Sequence, residues 1–235
     1  GCGIIMDKRM SESKSSASKS LRIGEFLRPG TILKLDPNIS IKQAKENVQS
    51  LLFGVHLYID SKMEHSTRLE IIKVLKPGVV CNIDPNISIE QAKEIVRELP
   101  SGVFFLLPEM SDVKAIPLVR EFSSGAVLKF DPAIDITIST NIVAMLKPGA
   151  HLYIDSQMEQ SKRVDIAKSL QPGNVLRLDP SIKVADAMQI VKELNPEVSV
   201  FIDSQMEQSK RVNVAKSLKP GNVLRLDPSI KVAEA

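Results

Sequence analysis

Residues 155–187 read DSQMEQSKRVDIAKSLQPGNVLRLDPSIKVADA. Residues 203–235 repeat them 48 positions later with four changes, Asp165/Asn213, Ile166/Val214, Gln171/Lys219 and Asp186/Glu234. Self-similarity at a fixed period is the primary signature of a repeat architecture. Inside the 48 lies a 24-residue unit. Its anchor is an Asp that follows an apolar-x-apolar triplet: Asp36, Asp60, Asp84, Asp131, Asp155, Asp179, Asp203 and Asp227. The spacing is 24 except for 47 between Asp84 and Asp131, which hides a degenerate unit with Pro108 in the Asp column. Nine units therefore start at Leu27, Leu51, Leu75, Leu99, Phe122, Leu146, Leu170, Leu194 and Leu218.

Chain breakers fall in fixed columns. Pro29, Pro77, Pro148, Pro172, Pro196 and Pro220 precede the triplet, and Pro37, Pro85, Pro132, Pro180 and Pro228 follow the Asp. A glycine column runs from Gly30 to Gly221 beside the first of these. Breakers held in register mark turns. Between them each unit reads strand, turn, helix. Val175-Leu176-Arg177-Leu178 alternates with period two, and Ile182, Val184, Ala187, Ile190, Val191 and Leu194 form a helical stripe. Ser88…Gln91, Ser61…Glu64, Ser156…Glu159 and Ser204…Glu207 match the capping-box spacing at helix starts. Two unit types alternate, one with Asp-Pro after the strand and one with Asp-Ser, which is why the clean duplication is 48. A unit this short buries its apolar face only against its neighbours, and each supplies the helical crossover that parallel strands need.

The Leu-x-Leu strand, the turn and the apolar helix ending in Ala-x-x-Leu resemble leucine-rich repeats, most closely the ribonuclease-inhibitor-like subtype, over residues 27–235. Similar arrays occur in effectors that intracellular bacteria inject into hosts. The family's Asn after the strand is present only as Asn38 and Asn86. The resemblance implies an α/β solenoid, a horseshoe with the parallel sheet concave and the helices convex. It implies partner binding on the concave sheet and no catalytic residues.

Composition bounds the rest. The 235 residues are 43% hydrophobic and 25% charged, enough for a packed core. The net charge is +3, and Lys8, Arg9, Lys14 and Lys19 against Asp7 and Glu12 put +2 of it in the first twenty residues. A near-neutral body disfavours a dedicated nucleic-acid binder. Two cysteines, Cys2 and Cys81, make no disulfide scaffold, so a reducing, cytoplasmic setting is expected. No apolar run is long enough to span a membrane. Residues 1–20 read as a flexible Ser/Lys-rich tail and 21–235 as a single repeat solenoid.

The candidate residues lie in two strand columns expected to face outward. Two positions before the anchor stand Lys34, Tyr58, Asn82, Leu106, Lys129, Tyr153, Arg177, Phe201 and Arg225. Four before it stand Ile32, His56, Val80, Phe104, Val127, His151, Val175, Ser199 and Val223. Tyr, Phe and Arg dominate protein hot spots. The expected partner-binding set is therefore His56, Tyr58, Phe104, Leu106, Lys129, His151, Tyr153, Arg177, Phe201 and Arg225. Phe104 and Leu106 sit in the degenerate unit as a candidate exposed apolar patch. The two His-x-Tyr-x-Asp triplets stand four strands apart, too far to share a metal. Each anchor Asp is expected to accept backbone N–H bonds as an Asx turn. Cys81 and the Met63, Met158, Met206 column read as core.

The sequence thus predicts a non-enzymatic module binding a protein partner on its concave sheet, with no cofactor and no metal. The variants of that reading are an effector, an inhibitor that occludes an enzyme, and a self-assembling repeat protein whose uncapped end at Ala235 makes a homo-oligomer. A single-stranded nucleic-acid binder is the remaining, weaker alternative.

Overall fold

A computed structural model describes residues 3–5, 26–107, 110–123 and 125–231. The chain forms two compact units, residues 1–108 and 109–235. Most of the segment 1–25, the degenerate anchor Pro108 and the end at Ala235 lie outside the described residues.

In the first unit the order is β1 (Gly3–Ile5), β2 (Ile32–Lys34), α1 (Ile41–Gln49), β3 (His56–Ile59), α2 (His65–Ile72), β4 (Val80–Ile83), α3 (Ile89–Arg97) and β5 (Phe104–Leu106). Every strand pairs in parallel with the next, and Ile32, His56, Val80 and Phe104 share one register row. Gly3–Ile5 therefore departs from the expected tail: it is a strand against Ile32–Lys34.

The second unit runs α4 (Asp112–Val119), β6 (Val127–Lys129), α5 (Ile136–Ala144), β7 (His151–Ile154), α6 (Gln160–Lys168), β8 (Val175–Leu178), α7 (Val184–Lys192), β9 (Ser199–Ile202), α8 (Gln208–Lys216) and β10 (Val223–Leu226). Its strands are again parallel in chain order, with Val127, His151, Val175, Ser199 and Val223 in one row.

The core lies between strands and helices. Leu33, Leu57, Cys81 and Phe105 in one unit, and Leu128, Leu152, Leu176 and Val200 in the other, are fully buried. They pack against helix residues such as Val48, Ile71, Ile95, Val143, Ala167 and Ile190, which are also fully buried. Each such aliphatic side chain contributes roughly 1.5–3 kcal/mol. Cys81 sits in this layer, and burial pushes its thiol up to about 12.

A second backbone ladder runs beside the sheet. Gly30 N–H donates to Gly54 O, Gly54 to Gly78 and Gly78 to Gly102, at 2.7–2.8 Å. Gly149, Gly173, Glu197 and Gly221 continue the pattern in the second unit. All these positions have positive φ, and Glu197 at φ 65° is the non-glycine among them. At Gly54 a Cβ would also stand 2.9 Å from Cβ of Pro29, so backbone conformation and crowding both require glycine.

Two expectations are corrected by the local geometry. Ser88 does accept from Gln91 N–H, as a capping box requires. Ser61, Ser156 and Ser204 do not cap. Their helices start at His65, Gln160 and Gln208, with Glu64, Glu159 and Glu207 at the N-cap. The serine hydroxyls instead donate to the next unit's Asp84, Asp179 and Asp227.

The second correction concerns the strand face turned away from the helices. A leucine-rich-repeat horseshoe presents an open concave sheet there. Val80, Phe104, Val127, Val175 and Ser199 are instead at most 5% exposed. The Phe53 ring packs edge-on against Phe104 at 6.1 Å, so the expected apolar patch is covered, with Leu106 half-buried beside it.

Candidate functional site

The anchor aspartates build the floor of the strand face. All eight accept the backbone N–H two residues on, at 2.8–2.9 Å. Burial alone would raise Asp84, but bonds from Asn86 and Ser61 outweigh it and hold the carboxyl at about 2. Asp179 and Asp227 follow the same logic: burial opposes ionisation, and bonds from Ser181 and Ser156, or from Ser229 and Ser204, bring them below the usual range.

The cations over this floor differ in their neutralisation. Lys34 Nζ lies 2.8 Å from Asp60 and 4.9 Å over the Tyr58 ring. That hydrogen-bonded ion pair lowers Asp60 and raises Lys34. Lys129 repeats the arrangement, 2.9 Å from Asp155 and 5.2 Å over Tyr153. The tyrosines in turn bond Asp84 and Asp179, and burial foremost raises both phenols. Tyr58, Lys129 and Tyr153 are thus tied into internal pairs rather than free to anchor a partner.

Arg177 is held differently. Its Nε donates to His151 Nδ1 at 2.9 Å, and its guanidinium lies 4.0 Å over the Phe201 ring. Among the described residues no carboxylate contacts it. His151, expected on an exposed face, is 9% exposed, with Phe201 tilted against it at 6.5 Å. Burial, then the charges of Arg177 and Arg225, push the imidazole down to about 4. Because Nδ1 accepts from Arg177, the ring proton of the neutral His151 sits on Nε2. Arg225 is exposed two strands further on, aligned with Phe201 across β9–β10.

The sequence-derived residues therefore divide. His151, Arg177, Phe201 and Arg225 converge in the second unit. In the first unit His56 and Tyr58 are half-buried, and Asn82 Nδ2 lies 3.4 Å from His56 Nδ1. Among the described residues no group of three or more His, Cys, Asp or Glu side chains is placed to hold a metal, and no helix is long and apolar enough to cross a membrane.

Sequence reasoning overlooked a second polar layer, between the helices. Arg68, Arg163 and Lys210 are buried there. Lys210 Nζ donates to the carbonyl oxygens of Pro180 and Ile182, and Lys162 Nζ to that of Pro132 at 2.9 Å. The signal available was the recurrence of a basic pair at the same place in successive Asp-Ser helices, Lys162-Arg163 and Lys210-Arg211.

No family model and no curated protein matches the chain. Among solved structures it is similar to dihydrodipicolinate synthase from Oceanobacillus iheyensis, at 14% identity and a TM-score of 0.32, over 83% of this chain and 52% of that one. The chain thus spans about half the length of that protein. A likeness of this degree carries neither that enzyme's shape nor its activity to this chain. The horseshoe is corrected to a parallel strand–helix repeat because the strand column of Val80, Phe104, Val127, Val175 and Ser199 is buried instead of open. The non-enzymatic protein-binding module, with its effector and inhibitor variants, rested on the horseshoe reading; the nucleic-acid variant rested on the alternation of basic groups and rings along the sheet, self-assembly on the uncapped end, and the exclusion of catalysis on the family likeness and the lack of a recurring catalytic set. All are withdrawn.

Proposed function

We propose that the second unit binds a small anionic ligand carrying a carboxylate or phosphate, at the face formed by His151, Arg177, Phe201 and Arg225. The observation that supports this reading is the state of Arg177. Lys34 and Lys129, in the same column, are neutralised by Asp60 and Asp155. Arg177 is oriented by two neutral groups, an imidazole and a phenyl ring. Asp203 and Asp227 offset its charge only through space, without contact, and the order already imposed on the side chain lowers the entropic cost of binding. A guanidinium offers paired N–H donors that match a carboxylate or phosphate edge. Arg225 adds a second positive charge and His151 Nε2–H a neutral donor. A reduced, buried Cys81 thiol accords with a cytoplasmic protein.

The test is isothermal titration calorimetry with inorganic phosphate and with citrate, at fixed ionic strength. The wild type is expected to bind at least one of them, and Arg177→Gln to weaken that binding at least tenfold. Lys129→Gln, which alters an already paired cation, is expected to leave it within about twofold. Absence of binding to both anions, or equal binding by Arg177→Gln, overturns the proposal.

A further inference from the structure

The helix layer of the first unit holds a charge that the fold does not neutralise by contact. Arg68 on α2 is 3% exposed. Its Nη2 donates to Gln91 Oε1 on α3 at 3.1 Å, while Nε and Nη1 are buried without an acceptor among the described residues. Burial lowers the Arg68 pKa. The nearby carboxylates are committed elsewhere: Asp60 to Lys34 and Lys62, Asp84 to Ser61 and Asn86. His65, one turn before Arg68 on α2, binds Glu94 through Nε2 at 2.6 Å, which engages that carboxylate too.

The repeat supplies an internal control. Arg163 on α6 stands eight residues after Asp155, as Arg68 stands eight after Asp60. Seven residues after the following anchor the second unit has Asp186, and the first has Gln91. Arg163 Nη2 lies 3.6 Å from Asp186 Oδ2. At the same place in the fold, one unit carries a carboxylate against the buried guanidinium and the other a neutral amide. A water could accept from an orphaned N–H, but it brings no negative charge into contact with the buried guanidinium, on which Asp60 and Asp84 act only through space while bonded elsewhere.

We infer that a small inorganic anion, of halide size, binds between α2 and α3 at Arg68 Nη1, supplying by contact the negative charge that Asp186 supplies to Arg163. The site is in a different unit and a different layer from the face around Arg177, and the two stand or fall separately.

The probe is bromide. The melting temperature of the full chain is followed as bromide replaces gluconate at constant ionic strength. The wild type is expected to gain roughly 5 °C, saturably, as bromide reaches about a hundred times its dissociation constant. Gln91→Asp, which installs the second unit's solution, is expected to melt higher without bromide and to lose the response. Arg68→Met, which removes the charge, is expected to lose the response as well and serves if Gln91→Asp does not fold. Crystals soaked in bromide are expected to show an anomalous peak beside Arg68. A wild type indifferent to bromide, an unchanged response in either variant, or an ordered water in place of the anomalous peak overturns the inference.

Discussion

Acid should weaken this protein through His151 before it weakens it through the carboxylates. The folded imidazole titrates at about 4 against an unperturbed 6.5. Three influences act on it: burial, the Arg177 guanidinium that donates to its Nδ1, and Arg225 two strands from Arg177. A group whose folded pKa is depressed contributes stability above its unfolded pKa and loses it as pH falls toward the folded one. Here the unfolded chain takes up a proton near pH 6.5 that the folded chain refuses until about pH 4. The loss attributable to this one side chain is about 2 kcal/mol at pH 5 and about 3 kcal/mol at pH 4. Asp84, Asp179 and Asp227 lose their contributions at lower pH, from the ordinary carboxylate value down toward their lowered folded values. The windows are thus separable. Urea unfolding of wild type and His151→Gln, measured from pH 7.5 to 4, is expected to give curves that converge as the pH falls. The wild type should lose about 3 kcal/mol more than the variant over that range. Parallel curves between pH 6.5 and 4 would refute the assignment of a buried, neutral imidazole clamped by Arg177.

Four other outcomes follow from the geometry. Glu197→Gly relieves the non-glycine positive φ in the backbone ladder and should raise stability by about 1 kcal/mol, read by urea unfolding. Gly54→Ala should destabilise more than Gly30→Ala, because a Cβ at 54 meets Pro29 at 2.9 Å whereas one at 30 meets nothing within 4 Å; equal costs would mean that φ alone decides. Asp179→Ala removes bonds from Ser156 and Ser181 and should cost about 3 kcal/mol, against about 1 kcal/mol for Asp36→Ala, which removes the Asn38 bond. In a Cys2→Ser background, Cys81 should react with a thiol reagent at pH 8 only as fast as the protein unfolds, since burial keeps its pKa near 12.

Local chemistry was legible in the sequence where a residue acts on its own turn. The Asx turns at all eight anchors, the glycine column and the burial of Cys81 each depend on spacing within one unit. What escaped depends on neighbouring strands. The period-two rule turns His151 and Phe104 away from the helices correctly, but it does not say what lies above them. Phe53 over Phe104, and Arg177 with Phe201 against His151, meet across strands 24 or more residues apart. Ser61 and Ser156 had the spacing of caps, yet a carboxylate on the adjacent strand, Asp84 or Asp179, offers a charged acceptor stronger than their own helix start. The charge of Arg68 is visible only by comparing Gln91 with Asp186, which requires knowing that α2–α3 and α6–α7 are equivalent pairs. The horseshoe was inferred from a strand motif that fixes alternation and direction, not the packing of the sheet's other face.

The alternation of Asp-Pro and Asp-Ser units also governs how such a gene can change length. Lys34 reaches forward to Asp60 of an Asp-Ser unit, and Ser61 of that unit reaches forward to Asp84 of an Asp-Pro unit. Each kind is finished by the other. A recombination event that inserted or deleted a single 24-residue unit would seat like against like and leave lysine, serine and aspartate facing the wrong neighbours. One that moves 48 residues keeps the serine-to-aspartate pairing, as Ser61 to Asp84, Ser156 to Asp179 and Ser204 to Asp227 show. The near-identity of residues 155–187 and 203–235 has that period: the copied length is the couple, an Asp-Ser unit with the Asp-Pro unit that follows it.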